Sequence, residues 1–62
     1  MSMMDNVMVF CHGNKFNMLR SEAIDFFSRC ATYCNELWEK TFYNSIVKAL
    51  ESGANVWTDD TY

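Results

Sequence analysis

Between Leu19 and Leu50 the apolar residues recur at helical spacing through two segments separated by only a short break. Leu19, Ala23, Phe26, Phe27, Cys30, Tyr33 and Cys34, flanked by Ile24 and Ala31, make the first stripe. Leu37, Trp38, Phe42, Tyr43, Ile46, Val47 and Leu50 make the second. Two adjacent amphipathic stripes joined by so short a link must lie against each other, so the pattern predicts an antiparallel helical hairpin. The first helix is expected over residues 19–34 and the second over 36–51, with Phe27, Ile46 and Leu50 at the centre of the core. Asp25 and Arg29, then Glu36 and Lys40, stand four apart as supporting pairs on the polar faces. Asn17 is the expected capping side chain of the first helix. Gly53 falls where a left-handed residue ends the second.

On either side the period changes. Val7-Met8-Val9-Phe10-Cys11 is a short apolar run ending at His12-Gly13-Asn14, a cluster suited to a tight turn. Lys15-Phe16-Asn17-Met18 is the expected return strand, and Ala54-Asn55-Val56-Trp57-Thr58 a short closing strand. Val56 and Phe10 are its candidate sheet partners. The chain is therefore expected to form a single α+β domain over residues 1–62: a short N-terminal strand or hairpin, an antiparallel two-helix hairpin and a short C-terminal strand. Two or three short strands leave an edge open, either to the chain itself or to a neighbour.

A chain of 62 residues has a thin stability margin, roughly 3–5 kcal/mol, which small domains usually supplement with a disulfide, a metal or a partner subunit. Half of the residues are hydrophobic and there is no proline, a composition of folded chains. The ten aromatic side chains exceed what so small a core can conveniently enclose, since each buries on the order of 150–250 Å². Surplus aromatics and an open sheet edge together predict self-association, as a homodimer.

The net charge is −3, and the five basic residues Lys15, Arg20, Arg29, Lys40 and Lys48 are scattered, so direct nucleic-acid binding is not expected. The eight carboxylates are equally dispersed, a weak form of the charge run that a nucleic-acid mimic would carry. The start has no basic region followed by an apolar stretch, and no run of about 18 apolar residues occurs. No membrane association is expected, and the predicted compartment is cytoplasmic.

Cys30 and Cys34 share one helical face, and Cys11 with His12 could complete a zinc shell of three sulfurs and one nitrogen. Helical Cys-x3-Cys lacks the knuckle spacing of zinc ribbons, and both cysteines lie within the apolar stripe. Buried, metal-free thiols are the expectation, with no cofactor; a disulfide across one helical turn is sterically poor. Cys11 and His12, adjacent on a strand, point to opposite faces and do not form a nucleophile–base pair. With no serine–histidine–acid set and no phosphate-cradling loop, catalysis is not expected. Trp and Tyr dominate binding hot spots, which leaves Trp57 and Tyr62 near the terminus, flanked by Asp59 and Asp60, as the expected partner-binding residues. Trp38 and Tyr43 are expected in the core.

The string Arg20-Ser21-Glu22-Ala23-Ile24-Asp25-Phe26-Phe27, followed by Cys34, Phe42-Tyr43-Asn44-Ser45-Ile46-Val47-Lys48-Ala49-Leu50 and Gly53, resembles a group of very small proteins from phages and mobile elements of Gram-positive bacteria. Their pattern is a short strand, a glycine turn, Arg-Glu-Glu-Ala-Ile-x-Phe-Phe or -Tyr, a cysteine at the helix end, Tyr-x-x-Ile-x-x-x-Leu and a glycine before the last strand. The likeness spans residues 7–58; the chain departs from it at Leu19 and Ser21 and lacks the Gly-Ser link before the second helix. The resemblance implies an accessory protein of the anti-CRISPR kind, which binds and inhibits a host defence protein such as a CRISPR effector. The alternative is a self-associating structural or regulatory module with no foreign target.

Overall fold

A computed structural model describes residues 5–61, as a three-stranded sheet covered on one face by two helices. Strand β1 (Asn6–Cys11) lies in the middle of the sheet, between β2 (Asn14–Leu19) and β3 (Val56–Thr58). The pairing of β1 with β2 is antiparallel and that with β3 parallel. Helices α1 (Arg20–Tyr33) and α2 (Leu37–Glu51) form the expected hairpin, and a 3-10 turn follows β3 at Asp59–Thr61.

The β1–β2 hairpin is longer and more regular than its mixed sequence suggested, with six residues in each strand. Cys11 pairs with Asn14, so the loop is His12-Gly13 alone. Both residues have positive φ, 53° and 76°, the backbone that lets a two-residue turn follow the twist of its strands. Glycine adopts it freely, whereas His12 is held there from outside. Its N–H donates to Asp59 Oδ2 at 3.1 Å, and its ring stacks on Phe42 of α2, 5.0 Å between centroids.

Strand β2 runs straight into α1. The capping position falls on Leu19, whose side chain makes no cap hydrogen bond, while Asn17 sits inside β2 opposite Met8. The expected Asn17 cap is thus displaced by strand pairing. The first free N–H of the helix, that of Arg20, donates instead to the Asp5 carbonyl at 2.7 Å. The far end of α2 closes as expected. Gly53 has φ 107°, its N–H reaches the Leu50 carbonyl, and the Ala54 N–H reaches that of Ala49 at 3.0 Å, the paired bonds of a Schellman ending.

The inward row of β1, Val7, Val9 and Cys11, meets Ala23 and Phe27 of α1 and Phe42, Ile46 and Leu50 of α2. Phe27, Ile46 and Leu50 are essentially inaccessible, as the two stripes predicted. Phe16, Met18, Tyr43 and Trp57 pack around this centre. Val56 pairs with Met8 rather than with Phe10, whose neighbour is Thr58. That register sets Trp57 beside Val9, on the helix side of the sheet.

Candidate functional site

The elbow between the helices is the most exposed apolar part of the described chain. Tyr33, Leu37 and Trp38 are 78%, 76% and 61% accessible. Trp38 does not join the core as expected. It lies one turn ahead of Phe42 in the same stripe, but helical period identifies a face without saying how far along it there is something to pack against. The core cluster ends at Phe42.

The elbow is nevertheless built, not frayed. Cys34 ends α1 in an extended conformation, its N–H on the Cys30 carbonyl and its thiol directed to the Ala31 carbonyl at 3.3 Å. Lys40, predicted to pair with Glu36, reaches across instead. Its Nζ donates to the carbonyls of Ala31 at 3.0 Å and Thr32 at 3.4 Å, a cation set on the negative end of α1. With that ammonium turned inward, Glu36 and Glu39 are the charges left beside Leu37 and Trp38.

Asp59 and Asp60 belong to this same end of the molecule. The His12 turn stacks on Phe42, in the second turn of α2, and Asp59 accepts the His12 N–H. The Asp60 N–H donates to Thr58 Oγ1 at 3.2 Å. An open groove of about 460 Å³ runs between the two turns, lined by Phe10, Gly13, Lys15, Thr58, Asp59 and Asp60.

Trp57 is not the exposed anchor its terminal position suggested. It is half-buried, with its ring edge-on to Phe42 at 5.3 Å and an interplanar angle of 88°. Tyr62 lies outside the described residues. Of the predicted partner-binding set the acidic pair is solvent-facing in part or whole, and the accessible tryptophan is Trp38. Sequence reading passed over the elbow although a signal was present: Leu37 and Trp38 are consecutive, and one of two neighbours on a helix exceeds what a single stripe needs.

The cysteines divide differently from expectation. Cys11 is buried, whereas Cys30 and Cys34 are half-buried, because the contact between the helices is narrower than the stripe. Burial pushes the Cys11 and Cys30 thiols up from their ordinary range, and the neighbouring Asp59 adds to the shift at Cys11. Among the described residues no three of histidine, cysteine, aspartate and glutamate converge as a metal site. No helix of the described residues is long and apolar enough to cross a membrane.

At the opposite end of the hairpin Arg20 gathers four residues from three segments. Its Nε and Nη2 hold the Asp5 carboxylate at 2.7 and 3.3 Å, and Nη2 also reaches Asn55 Oδ1 at 2.5 Å. Its Nη1 donates to the carbonyls of Leu50 at 2.6 Å and Ala54 at 2.9 Å. The guanidinium holds the Asp5 carboxyl below the usual carboxylate range, its hydrogen bond outweighing the opposing effect of burial. The planar fork is saturated by these partners, which makes Arg20 a clasp of the fold and not a binding group. No protein-family model, curated protein or solved structure matches this chain.

Proposed function

We propose that this chain acts by stoichiometric, non-catalytic binding to another protein, as an accessory inhibitor of a host defence protein such as a CRISPR effector, and that it docks through the elbow. The observation that carries the reading is the exposure of Tyr33, Leu37 and Trp38 together on a firmly capped turn. A preorganised aromatic anchor loses little conformational freedom on binding, so more of the contact energy appears as affinity. Glu36 and Glu39 flank the anchor in sequence, and Asp59 is tied through His12 to Phe42, one turn along α2, which suits a target with an apolar pocket and a basic rim. The phage-like resemblance supplies the class of target; the elbow supplies the means of engaging it.

The test is a protection assay. Expressed in a bacterial host with an active CRISPR system, the wild-type chain should restore plasmid or phage entry. The double variant Leu37→Ala/Trp38→Ala should lose at least tenfold of that protection while remaining folded. Asp59→Lys with Asp60→Lys should weaken it less, as substitutions of rim charges do. Wild type giving no protection across such hosts would contradict the inhibitor reading. The second reading, a self-associating module without a foreign target, is favoured by the open edge of β2, and it predicts that elbow substitutions leave the assembly unchanged.

A further inference from the structure

Strand β2 is six residues long and lies at the outside of the sheet. The two-residue turn makes Cys11 and Asn14 a hydrogen-bonded pair, and alternation makes Val9–Phe16 and Val7–Met18 the next two. The backbone amides of Lys15, Asn17 and Leu19 therefore point away from β1. Among the described residues no acceptor lies against these three amides. Lys15 is the strand's one ionisable side chain, a lighter guard than exposed edges usually carry.

A second observation lies directly above this edge. Glu22, Phe26, Arg29 and Tyr33 form an outward stripe on α1, away from the α2 contact made by Ala23, Phe27 and Ala31. Phe26 remains 40% accessible and packs on Phe16 of β2, 6.0 Å between centroids. An aromatic pair thus borders the unpaired strand.

We propose that the edge of β2 pairs antiparallel with the same edge of a second copy of this chain, about a two-fold axis at Asn17, to form a six-stranded sheet with the two α1 helices side by side. Asn17 then exchanges N–H···O=C bonds with Asn17 of the second copy, and each Leu19 N–H donates to the other copy's Lys15 carbonyl. The Leu19 carbonyl stays with α1, as the capping position requires. On the helix side Phe16 falls opposite Met18 of the second copy, beneath the seam where the two Phe26 rings meet.

Charge fits a second copy on this edge, and length disfavours one on the other. Antiparallel α1 helices crossing at Phe26 bring Arg29 of each toward Glu22 of its mate, four residues before Phe26 where Arg29 is three after it. Lys15 meets Leu19, not another lysine. The edge of β3 offers only three residues before the chain turns away at Asp59, too short a ladder to compete with the six of β2. The β2 dimer is independent of what the elbow binds, and because the elbow lies two turns beyond Phe26 along α1, it leaves one elbow at each end.

Equilibrium sedimentation of the full chain from low to high micromolar concentration tests this. The wild type should show a concentration-dependent monomer–dimer equilibrium. Asn17→Pro removes an outward N–H that the β1–β2 ladder does not use, and should weaken the dimer at least tenfold with the helical circular dichroism retained. Should that variant lose its fold, chemical synthesis with an N-methyl group on the Asn17 amide removes the same donor with the side chain intact. A wild type that stays monomeric throughout, or a folded Asn17-blocked chain that dimerises as tightly as the wild type, overturns the proposal.

Discussion

The two ends of the helical hairpin are built on opposite plans. At the end where α1 begins and α2 stops, one guanidinium binds two main-chain carbonyls, a carboxylate and an amide, tying the start of β1 to the loop that enters β3. At the elbow a single ammonium caps α1, and three large apolar side chains stand in solvent beside carboxylates. One end spends polar groups to close the fold; the other leaves apolar groups open. A domain this small has little stability to spare, so concentrating the ties at one end frees the other to be shaped for contact rather than for cohesion.

The largest expected effect comes from opening the closed end. Arg20→Met retains an aliphatic stem but leaves the carbonyls of Leu50 and Ala54 without their donor, and hydrogen bonds to charged groups are each worth about 1.5–3 kcal/mol. The partly exposed setting of the clasp and the coupling among its bonds keep the total at about 2–4 kcal/mol in urea unfolding. A loss under about 0.5 kcal/mol, the size of an ordinary surface substitution, would show that Arg20 is not a structural tie.

A smaller effect follows from pH. The Asp5 carboxyl is lowered chiefly by its hydrogen bond to Arg20, so it binds a proton less readily in the folded chain than in the unfolded one. The stability this confers is fully present above the unfolded value of about 3.9 and is lost as pH falls through the lowered folded value. Asp5→Asn should therefore be less stable than the wild type near neutrality, and thermal melts should show the gap narrowing once both are taken below that range. No gap at any pH would place the role of Asp5 in its backbone carbonyl, which asparagine retains.

Much of the closed end and of the core was legible in the sequence, and the reasons are local. Phe27, Ile46 and Leu50 announce themselves by helical period, and Gly53 by its place just past a helix end. The Asp25–Arg29 pair, at 3.3 Å, follows from spacing alone. The clasp was not legible, because the partners of Arg20 lie 15, 30, 34 and 35 residues away and nothing local marks them. Trp57 was misread for a related reason. In Val56-Trp57-Thr58 either alternating set can face inward, and the choice is made by register against Val9, which only the folded sheet defines. Trp38 shows the converse error, a residue on the right face of a helix but beyond the end of what that face covers. Asn17 was assigned by residue preference to a cap that strand pairing had already claimed.

The division between a closing end and an open end is tested most directly by the elbow itself. Leu37→Ala/Trp38→Ala removes two of the largest exposed side chains, and its unfolding free energy in urea should lie within about 0.5 kcal/mol of the wild type, as for surface positions without a structural role. A loss of about 2 kcal/mol or more, the scale of a truncated core residue, would mean that the elbow holds the fold together and would contradict the account.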